Sequence, residues 1–189
     1  AIQLCEGQQL DIDFETQSLV SQNQYEEMIR LKTAVLIGCA FKMGAILGCA
    51  SKEDTKAIYD FGVQLGLAFQ LQDDYLDAFG DQSTFGKKIG GDILENKKTI
   101  LYHLAIKKAN AKQADLLKSI LKDNITLRDE EKISIVKGLF EDTGAKEATR
   151  LSILNYTDMA KLQLEKLSIS DNEKTKFRAL KDWLINRKY

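Results

Sequence analysis

Residues 70–81, QLQDDYLDAFGD, carry Asp73, Asp74, Asp77 and Asp81 together with Gln70. A helix turns about 100° per residue, so with Asp73 at zero, Asp77 falls about 40° away, Gln70 about 60°, Asp81 about 80° and Asp74 about 100°. Four carboxylates and an amide then crowd one arc. Like charges four residues apart repel by roughly a few tenths of a kcal/mol each. They also lie toward the negative end of the helix dipole. Local stability does not account for such a cluster, whereas a bound cation does. Oxygen donors with no His or Cys beside them suit a hard ion, Mg²⁺ before Zn²⁺. A D-D-x-x-D alone is a weak signal, and a solvated acidic face is the competing reading.

The surroundings favour the cation. The preceding turn, LGLAFQL, is strongly apolar, which places the acids at the end of a buried helix. The following loop is basic, with Lys87, Lys88, Lys97 and Lys98 against Asp92 and Glu95. Acids and lysines so close in sequence suggest a metal-bridged phosphate, with lysines neutralising the charge the metal leaves.

The elements that must hold these groups are helices. The 189-residue chain contains no proline, where average usage would give about nine. Long helices are the simplest way to fold such a chain. Apolar spacing of three and four predicts a helix from Asn23 or Gln24 to Ala50, bent near Gly38 or Gly44, and another over about 52–80. Shorter amphipathic helices follow over about 96–110, 111–122, 129–142, 145–168 and 171–186, with breaks at Thr143-Gly144 and Ser168–Asp171. Residues 1–10 read as the end of a helix, 11–23 as a polar turn and 81–95 as a loop. The expected fold is all-α, a bundle of long, mostly antiparallel helices in a single domain over residues 1–189.

Composition excludes several classes. Hydrophobic residues at 44% and charged residues at 29% are ordinary for a globular chain. The near balance of 27 basic and 28 acidic residues argues against nucleic acid as a partner. Three cysteines cannot all pair, and none sits in a C-x-x-C, which points to a reducing compartment, the cytoplasm. Cys39 and Cys49 read as small core hydrophobes. Residues 34–50, AVLIGCAFKMGAILGCA, are at the short limit for a membrane span and carry Lys42 near the middle, so they read as a buried helix. No signal peptide is evident.

At this point the motifs carry a resemblance. Phe69-Gln70, Asp73-Asp74-x-x-Asp77, Gly86-Lys87, Gly90-Gly91-Asp92 and Lys97-x-Thr99 are similar to the second aspartate-rich region of the trans-isoprenyl diphosphate synthases. Upstream, Gly7-Gln8-x-x-Asp11 resembles that family's G-Q-x-x-D, and Lys32-Thr33 its K-T motif. The end, DWLINRKY, resembles its basic C-terminus. The resemblance implies an isoprenoid-synthase helical fold and Mg²⁺-dependent head-to-tail condensation of an allylic diphosphate with isopentenyl diphosphate through an allylic cation. It implies that Asp73, Asp74 and Asp77 serve the metal, directly or through water. Lys32, Lys87 and Lys97 would hold the allylic diphosphate. Thr33 and Gln70 would stabilise the developing cation, and Gln8 and Asp11 would belong to the cavity wall. Thr99 reads as a structural hydroxyl and His103 as without a chemical role. The resemblance implies a homodimer as well, while the charge at Lys42 argues against a stable membrane span.

The family's first D-D-x-x-D should precede Gly7 and does not. The expectation is therefore a C-terminal portion, half of a complete synthase or somewhat more, with the N-terminal helices missing. Such a chain would have little activity alone and would expose apolar helix faces. Two other readings compete. One is a non-catalytic diphosphate-binding partner subunit of a heteromeric prenyl synthase. The other is a terpene cyclase, against which the K-T, F-Q and G-G-D set argues. A purely structural bundle leaves the clustered acids unexplained.

Overall fold

The computed structural model describes residues 1–17, 19–81 and 89–185. Its elements are α1 (Ile2–Thr16), α2 (Gln22–Ile29), a π-helical turn (Arg30–Ala34), α3 (Val35–Leu47), α4 (Lys52–Phe79), α5 (Gly91–Leu94), α6 (Ile100–Lys108), α7 (Ala111–Ile120), α8 (Asp129–Asp142), α9 (Ala145–Glu165) and α10 (Asp171–Ile185). The described residues contain no strand, and the fold is all-α.

Helix starts follow local chemistry. Ser51 accepts the Asp54 N–H at 2.9 Å, with Glu53 and Asp54 in the first turn of α4. Asn110 and Gln113 form a reciprocal capping box on α7. Ser170 and Glu173 bond each other's backbone N–H at the start of α10. The break expected at Thr143-Gly144 is present, with Gly144 at φ +71°.

The chain divides into two compact units. The first comprises Ala1–Asp13, Glu26–Gln70 and the described residues from Ser152 on. Its core joins Phe61 and Leu65 of α4 to Ala160 and Leu164 of α9, with Phe41 and Phe177 against it. The Phe41, Phe61 and Phe177 rings lie 5.2–6.1 Å apart, two of the three pairs edge to face. The α4 backbone touches both α3 and the π turn before it: a Cβ on Gly62 would lie 2.8 Å from Gly38 Cα, and one on Gly66 2.6 Å from Ala34 Cα.

The second unit comprises Phe14–Tyr25 and Leu71–Leu151. Its α8 packs against α5, α6 and α7. Leu71, Ile100, Leu101, Leu117, Ile120 and Val136 are fully buried. It also buries polar groups: Asp74, Thr99, His103 and Lys132.

Four sequence expectations are corrected. First, α1 runs to Thr16 rather than ending at residue 10, because Gly7, Leu10 and Phe14 continue an inward stripe at spacings of three and four. Second, the second helix is not α-helical throughout: a π turn interrupts it at Arg30–Ala34, where the Val35 N–H bonds to the Arg30 carbonyl. Third, the segment expected to be a buried helix buries Ala34, Val35 and Gly38 and leaves Leu36, Met43, Ile46 and Leu47 exposed. Only its glycine-bearing edge meets α4. Fourth, Cys39 and Cys49 are exposed and not core residues, since they lie away from that edge. No described helix is long and apolar enough to cross a membrane.

Candidate active site

Within the first unit the π turn presents Lys32 and Thr33. Two glycines let other helices reach it. A Cβ on Gly7 of α1 would stand 2.3 Å from the Lys32 backbone nitrogen, and one on Gly66 of α4 2.6 Å from Ala34 Cα. One turn beyond each glycine a polar side chain meets the π turn. Asp11, four residues after Gly7, pairs with Lys32 Nζ at 2.5 Å. Gln70, four residues after Gly66, accepts the Thr33 hydroxyl proton at 2.9 Å. In a helix i and i+4 share a face, so glycine at i admits the backbone and the residue at i+4 makes the bond. Gln8 is exposed on α1 and takes no part in these two contacts. Single π turns within α-helices occur frequently at functional sites.

Within the second unit the acids of α4 separate into two environments. Asp74 points inward and is only 5% exposed. Its Oδ2 accepts the Tyr25 hydroxyl and faces the Ile100 N–H at 3.5 Å. Burial and then the Asp74 carboxylate push the Tyr25 phenol well above its usual pKa, which keeps it a donor. Asp73 and Asp77 are half-buried. Asp77 Oδ2 accepts the Asp92 N–H at 3.0 Å, and its main-chain carbonyl accepts the Gly90 N–H at 2.7 Å. Burial, followed by the neighbouring Asp92 carboxylate, raises the Asp77 pKa to about 6. Helix α4 stops at Phe79, so Asp81 lies beyond it and outside the helical arc.

Asp92 is delivered by a turn that requires glycine. Gly90 has φ +85°, and a Cβ there would meet Ile133 at 2.7 Å. Lys97 Nζ bonds Asp92 at 3.0 Å and Glu95 at 2.6 Å. Burial pulls this ammonium down, and Glu95 and Asp92 outweigh that pull, leaving its pKa above the ordinary lysine value. A cavity of about 10 Å³, room for roughly one water, is lined by Asp74, Asp77, Asp92, Lys97 and Thr99 among others. The neighbouring Lys98 turns elsewhere: its amine bonds the Phe14 and Gln17 carbonyls at 3.2 and 2.7 Å at the end of α1. Thr99 is buried at the N-cap of α6. Lys87 and Lys88 lie outside the described residues.

The structure thus brings Asp77 and Asp92 together with Lys97, and separately joins Asp11 to Lys32 and Thr33 to Gln70. Sequence reasoning left Tyr25 and Asp92 out of the candidate site. Asp92 had a signal, as the acid of the Gly90-Gly91-Asp92 motif. Tyr25 had none, since a phenol on an apolar stripe reads as packing. Among the described residues no three His, Cys, Asp or Glu side chains form a ready-made metal cage. Mg²⁺ is usually held by one or two carboxylates plus substrate phosphates and waters. The hard-oxygen donors Asp73, Asp77 and Asp92, beside a lysine suited to phosphate, fit that mode.

The polyprenyl synthetase family model matches residues 1–142. The chain belongs to the polyprenyl synthetase family. Polyprenyl synthetases similar to it include a short chain isoprenyl diphosphate synthase of Methanothermobacter thermautotrophicus, 38% identical over 188 residues, a match covering all of this chain and 56% of that protein. A crystal structure of a geranylgeranyl pyrophosphate synthase superposes with a TM-score of 0.91 at 46% identity, over 100% of this chain and 58% of the other. A further similar structure is the geranylgeranyl pyrophosphate synthase of Corynebacterium glutamicum complexed with isoprenyl diphosphate and magnesium. It has a TM-score of 0.88 at 30% identity, over 98% of this chain and 52% of that one. The chain therefore spans about half the length of the polyprenyl synthetases it matches.

Proposed function

We propose that this chain supplies the second aspartate-rich region of a polyprenyl diphosphate synthase, which condenses an allylic diphosphate with isopentenyl diphosphate head to tail. The observation that carries this reading is the gathering of Asp77, Asp92 and Lys97 at the end of α4, in a member of this family. The magnesium and isoprenyl diphosphate in the Corynebacterium glutamicum structure support the choice of ion and ligand.

In this reading Asp73 and Asp77 hold Mg²⁺ directly or through water, with Asp74 behind them. Mg²⁺, when bound, supplies positive charge to the diphosphate oxygens and so eases departure of that group. Lys97 binds diphosphate oxygens beside these acids, and Lys32 and Lys87 are assigned to the allylic diphosphate by the family resemblance. Lys97 needs no proton from solvent for this, because its acidic neighbours keep it charged. It exchanges contacts with Asp92 and Glu95 for phosphate oxygens. Thr33 commits its hydroxyl proton to Gln70. Its remaining lone pairs then present the negative end of a fixed dipole, suited to an adjacent allylic cation. The bond between Asp11 and Lys32 sets the lysine's resting position. The double bond of isopentenyl diphosphate attacks the cation, and the new cation then loses a proton, which the released diphosphate can accept.

The test is the full-length protein, supplied with an allylic diphosphate, labelled isopentenyl diphosphate and Mg²⁺. The expected result is a longer prenyl diphosphate, with Asp73→Ala lowering turnover about 100- to 1,000-fold, as loss of several kcal/mol of charge stabilisation implies. Unchanged turnover in Asp73→Ala would remove this carboxylate from the chemistry.

A further inference from the structure

Tyr25 has a role that its place on an apolar stripe hides. It is 3% exposed, on α2, and 49 residues before its acceptor Asp74. Asp74 Oδ2 takes the Tyr25 hydroxyl and faces the Ile100 N–H, the first residue of α6. Thr99, at the N-cap of α6, makes no side-chain capping bond to its helix. Asp74 occupies that position from another helix, and an anion there is favoured by the helix dipole. One buried carboxylate therefore ties α2, α4 and α6 together. A carboxylate this buried must keep its donors.

The tie fixes a rotation. Asp73 and Asp74 are about 100° apart around α4, so anchoring Asp74 inward determines where Asp73 and Asp77 point. It also fixes the start of α6, directly after Lys97 and Thr99. We propose that Tyr25 is a positioning residue for the aspartate-rich site, acting through Asp74 to aim Asp73 and Asp77 and to register the Lys97 segment against them. This rests on the functional reading above and extends it to a residue outside the aspartate-rich motif. The His103 ring, 5.5 Å from the Tyr25 ring, supports the phenol from the side.

The experiment compares Tyr25→Phe, Asp74→Asn, the double variant and Asp73→Ala in the full-length protein. Calorimetric binding of Mg²⁺ with inorganic pyrophosphate is measured beside the Mg²⁺ dependence of turnover. Phe keeps the ring and its packing and removes only the hydroxyl. The expected result is an unchanged helical signal with Mg²⁺–pyrophosphate affinity about tenfold weaker, the range typical for groups that orient metal ligands. The double variant should be no worse than Asp74→Asn alone, because both changes break one contact. An affinity unchanged in Tyr25→Phe but lost in Asp73→Ala overturns the positioning role and leaves the functional reading standing. Additive losses in the double variant overturn it as well. An affinity unchanged in both Tyr25→Phe and Asp73→Ala sinks the functional reading and the proposal with it. Should Tyr25→Phe fail to fold, Tyr25→Leu, which also lacks the hydroxyl donor and fits within the volume of the ring, takes its place under the same outcomes.

Discussion

The Lys32–Thr33 turn and the aspartate-rich end of α4 both present polar groups, and they are held by opposite means. The π turn is held by backbone contact. Gly7 and Gly66 remove side chains so that α1 and α4 can approach it, and Asp11 and Gln70 follow one turn later. The acidic end is held by buried polar bonds: Tyr25 to Asp74, and Asp92 to Asp77 and Lys97. The first arrangement depends chiefly on volume, with one ion pair, Asp11 to Lys32, beside it. The second depends on protons and charge. Perturbations of size and of pH should therefore separate the two.

Gly7→Val is expected to have the largest effect on stability. Its Cβ would fall 2.3 Å from the Lys32 nitrogen and 2.7 Å from the Leu31 carbonyl carbon, both backbone atoms that cannot rotate away. Overpacking of this kind costs about 3 kcal/mol or more. Denaturant unfolding should report that loss equally at pH 5 and pH 8. A loss that changes with pH would mean that charge, not volume, holds the π turn.

His103 tests the other side of the comparison. Burial lowers its pKa from 6.5 to about 4, and its Nε2 has no hydrogen-bond partner among the described residues. The folded chain keeps this ring neutral while the unfolded chain takes up a proton below pH 6.5. Stability from this group is therefore intact above pH 6.5 and falls as pH drops toward 4. The full difference corresponds to about 3 kcal/mol. In His103→Phe that part of the acid-induced loss should vanish, read as a flatter plot of unfolding free energy against pH.

Asp77 should show the functional counterpart. With its pKa near 6, raised by burial and Asp92, it is protonated below that pH and a poor cation ligand there. Without metal its proton stabilises the fold as pH falls from about 6 toward 3.8, opposite in sign to His103. Mg²⁺–pyrophosphate affinity should fall by up to about tenfold per pH unit below 6. Asp77→Asn should bind more weakly above pH 6 and lose the part of that dependence owed to Asp77, leaving only the titration of pyrophosphate itself. Lys97, held charged by Glu95 and Asp92, adds no slope in this range.

How much of this was legible in the sequence follows the same division. Proline absence and apolar spacing predicted α4 to within a residue at its end and α8 at both ends, because those helices carry acids or caps at their starts and a regular inward stripe. The acids and Lys97 were legible because charge clustered against local preference needs a reason. The π turn was not, since it arises where Gly7 and Gly66 bring two other helices against one segment, and no local pattern encodes that. Cys39 and Cys49 were misread because an apolar run does not tell which of its faces will be covered. Asp74 and Asp73 are neighbours in sequence, and only the fold separates an anchored carboxylate from one on a different face.

The smallest effect comes from a glycine that does neither job. Gly138 lies within α8, and a Cβ there would meet nothing within 4 Å. It admits no backbone, as Gly7 does, and takes no left-handed φ, as Gly90 does. Its effect is the conformational freedom it gives the unfolded chain. Gly138→Ala should therefore stabilise the protein by up to about 1 kcal/mol, seen as a small rise in denaturation midpoint with no change in Mg²⁺–pyrophosphate affinity. Destabilisation instead would mean that a neighbour closes on α8 in the full-length protein, and Gly138 would then join Gly7 and Gly66 as a contact glycine.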